Sequence, residues 1–282
     1  MNALVKDPGY PVEQACQLLG LSRSTFYYHS RRVEDRELVA DVETVVGQYP
    51  TYGTRRVMHQ LRRVPYSYRV TRKRVQGIMR HKGWLRPVKR AKVRTTDSQH
   101  PYPRYPNLVK DLVVSFPDEV WVSDITYIRQ GQGFVYLAIV LDVFTRTVRG
   151  WNLSLSLDQE LSLAALRMGL ARRKPQIHHS DQGFQYAAYA YIEVLNAHQA
   201  LISMASVGKA EENGYAERFM RTIKEEEVDL SEYHDFADVQ QQIGRFIQDV
   251  YNTKRIHSSL GYLTPVEFEA AWQSSHVEAG TP

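Results

Sequence analysis

Apolar positions change their period twice along this 282-residue chain. From residue 10 to about 85 they recur every three or four positions. From Glu119 they run as β-branched and aromatic stretches, and helical spacing then returns, broken by two short apolar runs. A period near 3.6 marks helices that bury one face, and a period near 2, or a short continuous apolar run, marks strands. VWVSDITYI, FVYLAIVLDVF and VRGWNLSL are therefore predicted strands, the first two joined by RQGQG, whose glycines suit a hairpin turn. Leu161, Ala164, Ala165, Met168 and Leu170 predict a buried helix. A strand into Ile177–Ser180, a helix near 186–197, a strand at 200–204 and a helix from about 212 to 227 follow. Amphipathic helices are predicted at 235–252 and 265–272, the last announced by Thr264-Pro265-Val266-Glu267, a capping box with proline at the first helical position. Three strands, then helix and strand in alternation, is an α/β order with a mixed sheet.

The N-terminal part is all helical. Val12, Ala15, Cys16 and Leu19 share one face, Gly20 breaks the run, and Ser22 can cap a second short helix. Helix, glycine turn, short polar helix is the helix-turn-helix pattern, which leaves Arg23, Ser24, Thr25 and Tyr28 as candidates to face DNA; an ordinary helical hairpin has the same pattern. A second helical unit follows. Leu38, Val42, Val45 and Val46 line one face, Arg55 to Arg63 form a basic helix, and Thr71 caps TRKRVQGIMRHKG. VPYSYRV between them can form a short β-wing. Arg55, Arg56, Arg72, Lys73 and Arg74 suit phosphate contact more than base reading. Residues 86–107 lack periodicity and carry prolines and basic side chains, as a tether or a segment tracking DNA would.

Charge sharpens this division. The net charge is +5, yet residues 1–110 hold 22 Lys+Arg against 8 Asp+Glu, and residues 111–282 hold 14 against 23. A basic block of that size attracts phosphate backbones through counterion release. The single cysteine, Cys16, excludes an internal disulfide framework and a cysteine-rich zinc site. No run of 18 apolar residues occurs, so no membrane span is expected, and a cytoplasmic, reducing location is the default.

The chemistry is carried by three acids: Asp124 in WVSDITYI, Asp181 in QIHHSDQGFQY, and Glu217 in ENGYAERFMRTIKEE. Two divalent ions about 3.5–4 Å apart need bridging and flanking carboxylates, and they run in-line displacement at phosphorus. Magnesium favours carboxylate oxygen. Asp124 lies mid-strand between buried positions, where a charge needs a partner or a metal. Lys224, seven residues beyond Glu217 on the same face, is a point charge for a DNA phosphate or a surface partner of Glu227 or Asp229. Asp142 ends a strand and is expected to be structural, paired with Arg146. Glu211 and Glu212 are expected to favour a helix N-terminus through its dipole. His178 and His179 suit packing or orientation better than zinc. Asn252, Arg255 and His257 suit DNA contact and internal packing equally.

The strand order with these acids resembles the ribonuclease-H-like fold of D-D-E transposases and retroviral integrases. W-V-S-D-I-T-Y-I, L-D-V-F-T-R, H-S-D-Q-G-F-Q-Y and N-T-K-R-I-H-S-S-L-G-Y-L-T-P-V-E-F, in that order, resemble the downstream-frame protein of the IS-three group of bacterial insertion sequences. The resemblance implies a ribonuclease-H-like core, a mixed sheet flanked by helices, with N-terminal all-α helix-turn-helix domains. The division expected is 1–32 helix-turn-helix, 33–92 winged-helix-like DNA-binding domain, 93–114 basic linker, 115–230 catalytic core and 231–282 helical extension. It implies a DNA transposase that binds terminal inverted repeats and performs strand cleavage and transfer with two Mg2+ ions, Mn2+ substituting, on Asp124, Asp181 and Glu217. DNA ends and target DNA are the implied partners, with a homo-oligomer on paired ends, a bacterial, nucleoid-associated location, and fusion to or pairing with an upstream-frame helix-turn-helix protein. A silent repressor of the same fold and a structure-selective nuclease are the rival readings. The intact triad argues against the first, the paired N-terminal units against the second.

Overall fold

The computed structural model describes residues 11–24, 36–86, 104–131, 133–206 and 209–278. The chain divides at Thr44/Val45 into two compact units.

In the first unit, α1 (Val12–Leu18) buries Ala15 and Cys16. Gly20 stops it at φ +60, a left-handed turn that glycine enters without a Cβ clash. Arg23 and Ser24 are exposed, whereas Thr25 and Tyr28 lie outside the described residues. Helix α2 (Arg36–Gln48) crosses the boundary and buries Leu38, Val42 and Val45.

The second unit begins with α3 (Thr54–Leu61) and α4 (Arg72–His81), which close on Val57, Met58, Leu61, Val75 and Met79. Thr71 caps α4 as expected, its hydroxyl accepting from Arg74 N. The expected β-wing does not form. Residues 64–70 are turn and coil, because Arg62 donates to the Val70 carbonyl through Nε and Nη2, at 3.3 and 2.8 Å, and so occupies a backbone acceptor that a ladder would use.

The rest is a five-stranded sheet in the order β3-β2-β1-β4-β5. The strands are β1 (Val120–Gln130), β2 (Gly133–Asp142), β3 (Val148–Ser154), β4 (Ile177–Ser180) and β5 (Leu201–Met204). The first three form an antiparallel meander, with Trp121 opposite Asp142 and Gln130 opposite Gly133, while β4 and β5 run parallel to β1. This is the mixed sheet the pattern of strands and helices predicted. Helix α5 (Gln159–Leu170) crosses one face so closely that a Cβ on Gly150 would collide with the Ala165 carbonyl. Helices α6 (Phe184–Ala187) and α7 (Tyr189–Ala197) lie between β4 and β5 in the chain. The opposite face packs α8 (Gly214–Glu226) and α9 (Phe236–Arg245) through Phe219, Ile223, Val239 and Ile243 onto Val120, Val122, Leu137 and Ile139. A π-helical turn, Phe246–Tyr251, continues α9, and α10 (Pro265–Glu278) ends the described chain. Its capping box is complete: Thr264 Oγ1 accepts from Glu267 N and Glu267 Oε2 accepts from Thr264 N.

Residues 107–114, expected in the linker, pack on this unit. Val109 and Val114 lie against its core, Leu108 N donates to Ser203 Oγ, and Asn107 Nδ2 donates to Glu212. Segment 45–81 is tied to the same unit. Arg56 pairs with Glu226 at 3.5 Å, Arg255 grips Glu226 through Nε and Nη2 at 2.7 and 2.8 Å, and Tyr52 Oη accepts from Ile256 N.

Candidate active site

The parallel pairing of β1 with β4 positions two acids. Val122 stands opposite His179, and the ladder stops there. Asp124 lies two residues beyond Val122 and Asp181 two beyond His179, so both reach the same level and the same face. Beyond the ladder β1 continues beside β2, with Asp124 opposite Ile139, while the chain after Ser180 turns away. The result is a notch at the carboxyl end of β4, beside the middle of β1 where their parallel pairing stops.

The loop after β4 shapes the notch. Asp181 Oδ1 accepts from Gly183 N at 2.9 Å, and a Cβ on Gly183 would stand 3.0 Å from that same oxygen. The glycine lets the backbone fold onto the carboxylate. Asp124 Oδ1 accepts from Ile125 N at 2.8 Å.

Glu217 comes from the first turn of α8. Asn213, immediately before that helix, donates to the Ser123 carbonyl at 2.9 Å and so ties the start of the glutamate helix to the residue before Asp124. The two histidines of β4 are internal supports. His178 Nε2 meets Ser123 Oγ at 2.8 Å and Tyr191 Oη at 3.0 Å, and His179 Nδ1 meets Ser203 Oγ at 2.8 Å. Burial lowers the pKa of His178 to about 3, so it is a neutral strut.

Electrostatics mark Asp124. Loss of water around it, then the Asp181 carboxylate, push its pKa up to about 8 against the pull of the Ile125 N–H, with Glu217 adding to the rise and Lys224 opposing it least. The three acids therefore share one field. They are not closed to ligand distances: among the described residues no group of three His, Cys, Asp or Glu is set to hold a metal ion. Lys224 Nζ lies 4.5 Å from the Tyr127 ring centroid and feels the charges of both Asp124, the site acid, and Asp229, the surface acid. Tyr186, which the sequence did not single out, buries its hydroxyl without a hydrogen-bond partner while facing the charges of Asp124 and Asp181. Its only sequence signal is its place five residues after Asp181.

The other candidates fall elsewhere. Asp142 is fully buried and structural, as expected, but its cation is Arg149 at 3.1 Å, not Arg146. The turn after β2 sends Arg146 over the Tyr215 ring, 4.0 Å from its centroid. Glu212 lies just before α8, and it accepts from Ser206 N and Asn107 Nδ2, which with Lys209 pull its pKa down to about 2. Arg55, Arg72, Lys73 and Arg74 are exposed on α3 and α4. Arg255 and His257 are buried and Asn252 is half-buried: Asn252 Oδ1 accepts from Val148 N, and His257 meets Tyr251 edge-on.

Two family models described as an integrase core domain match residues 115–210 and 198–265, and one described as an HTH-like domain matches residues 33–92. Fold and matches together define a polynucleotidyl transferase of the transposase and integrase class. The chain is 31% identical over 280 residues to the transposase for insertion sequence element IS629 of Shigella sonnei, covering 94% of each. It is 30% identical over 249 residues to the transposase for IS904 of Lactococcus lactis, covering 85% of this chain and 96% of that one. Transposase InsF for IS3A of Escherichia coli is 30% identical over 273 residues, covering 92% and 94%. The chain belongs to the IS-three group of insertion-sequence transposases. Among solved structures, the HTLV-2 integrase catalytic core domain aligns at 15% identity with a TM-score of 0.45, over 55% of this chain and 97% of that one. No helix among the described residues is long and apolar enough to cross a membrane.

Proposed function

We propose that this transposase binds the terminal inverted repeats of its insertion sequence and uses Asp124, Asp181 and Glu217 to cut a strand end and join it to target DNA. The observation that carries the reading is the shared register of Asp124 and Asp181 beyond the Val122–His179 pair, with Glu217 entering the same field.

Divalent metal fits the donors present. Two carboxylates each accept from a backbone N–H group and a third enters their field; after loss of water, it is their repulsion that lifts the pKa of Asp124, and a dication removes that repulsion. The buried, unpartnered Tyr186 hydroxyl is a further polar group facing the same notch. Magnesium, or manganese in its place, would supply charge neutralisation at phosphorus and an activated oxygen nucleophile. The chain's own groups do the rest. Asp124 on β1, Asp181 just after β4 and Glu217 on α8, whose start Asn213 ties to Ser123, would hold the dications. Lys224 takes the charge of the phosphate beside the cut. The Gly183 turn admits a phosphate backbone close to the protein. Arg55, Arg72, Lys73 and Arg74, with Arg23 and Ser24 of the first unit, supply affinity for DNA phosphates, and copies of the chain assemble on paired ends.

The test is cleavage of an end duplex and joining of its 3′ end to a second duplex, with Asp124→Asn, Asp181→Asn and Glu217→Gln beside Asp142→Asn. The first three remove both reactions while retaining DNA binding. More than a few per cent of wild-type activity in any one removes that residue from the site. Retained binding without any wild-type chemistry favours the repressor reading. Binding itself falls steeply with salt.

A further inference from the structure

The far end of the β1–β2 hairpin carries side chains that neither the core nor the acidic notch requires. Tyr127 and Phe134 are 58% and 50% exposed. On the alternate face of the same strands Ile128 and Val135 are fully buried and supply the packing. The register sets Tyr127 opposite Tyr136 and Arg129 opposite Phe134, so Tyr127 and Phe134 are diagonal neighbours on one face. Their rings meet edge to face, 5.4 Å between centroids at 82°, which holds both orientations. Exposed Arg129 shares that face. Lys224 reaches in from α8, 4.5 Å from the Tyr127 centroid, while its ammonium also feels Asp124.

Two exposed rings between two cations suit nucleic acid rather than an apolar protein partner. Phosphates match the cations, and each unpaired base offers a π-face to a ring. The distance fits as well. Tyr127 lies three residues along β1 from Asp124, a rise of about 10 Å, and its backbone parity is opposite, but Lys224, 4.5 Å from the Tyr127 centroid and in the field of Asp124, links ring and carboxylate; stacked nucleotides rise about 3.4 Å each. We propose that Tyr127 and Phe134 form a stacking platform for an unpaired nucleobase within about three nucleotides of the phosphate at the acidic notch, with Arg129 and Lys224 taking the neighbouring backbone phosphates. The inference rests on the site assigned above. Stacking tolerates any base, so the platform grips strand ends of different sequence, and it favours ends that are frayed.

The test uses the full chain and an end duplex whose last three nucleotides on the cut strand are mismatched. Each of the three carries in turn 2-aminopurine or an abasic residue. At one of the three positions the wild type quenches 2-aminopurine fluorescence. Phe134→Ala loses that quenching and Phe134→Trp restores it. In single-turnover cleavage and joining, the abasic residue at that position slows the wild type about tenfold, the size of one base–ring stack. Phe134→Ala slows the intact substrate equally, and combining the two costs no more than either alone. The inference is overturned if no position is quenched, or if Phe134→Ala slows intact and abasic substrates alike. It is also overturned if Phe134→Ala changes the oligomeric state in light scattering, which would make the patch a contact between copies. A wild type that cleaves but ignores the missing base overturns this inference alone. A wild type that leaves every substrate intact overturns the proposed function along with it.

Discussion

Asp124 and Asp142 stand on neighbouring strands, both in apolar sequence, and their surroundings could hardly differ more. Asp142 accepts from the backbone N–H groups of Asp118, Phe144 and Thr145, from the Thr145 hydroxyl and from Arg149, which also grips Asp118 and Glu269. Burial still raises its pKa, yet every lone pair has a donor. Asp124 has one backbone donor and two acids for company. A buried carboxylate surrounded by donors joins parts of the fold together. One surrounded by acids carries a repulsion that folding alone does not relieve, and so is open to a cation from outside.

The contrast breaks most visibly in chemistry. Asp124→Asn is expected to lower cleavage and joining on the order of a thousandfold or more, since metal at such a site contributes several kcal/mol to the transition state. Its melting temperature in chelator does not fall. Asp142→Ala is expected to do the reverse. Removing one partner of a buried ion pair costs about 3–5 kcal/mol, so urea unfolding shifts strongly. A loss under about 1 kcal/mol would dissolve the distinction.

The third measurement is a pH profile of stability in chelator. The folded state holds a proton on Asp124 up to about pH 8, whereas the unfolded chain releases it near 3.8. Across that window the folded state binds more protons, so the contribution of Asp124 to stability is full at acid pH and is lost as pH rises towards 8. The difference between wild type and Asp124→Asn therefore widens with pH in favour of the variant. Added Mg2+ raises the wild-type melting temperature and leaves the variant where it was. A difference that stays flat from pH 4 to 8 sinks the electrostatic account. The smallest effect belongs to Lys224, which lies between the two situations. Lys224→Ala is expected to slow joining about tenfold with less than about 1 kcal/mol lost in stability, and Lys224→Arg to recover part of the rate. Wild-type joining rates would leave the lysine to Asp229.

Much of this was legible in the chain because local pattern and local structure agree. The β-branched and aromatic runs define β1, β2 and β3, and the Thr264 and Thr71 caps sit where their spacing put them. The unread parts are those in which partners come from far away. Arg149 lies seven residues from Asp142, but Glu269 is 120 from Arg149, and together they displace the nearer Arg146. Asn107 finds Glu212 across 105 residues, so a stretch without periodicity packs as part of a domain. Arg56 has the composition of a phosphate ligand and is held by Glu226, 170 residues on. Three acids in order were visible; that two of them share a level depended on a ladder pair, Val122 with His179, that no spacing along the chain reveals.

That ladder pair also determines where the gene tolerates change in length. One residue inserted between Val122 and Asp124, or between His179 and Asp181, turns a carboxylate to the opposite side of the sheet, because the side-chain period is two. The stretch from Leu155 to Gln176, long as it is, only has to bring the chain back to the start of β4, and an added residue in its exposed turns leaves both acids where they are. Related elements can thus diverge freely in the span of that crossover while two segments of three residues stay constant in length.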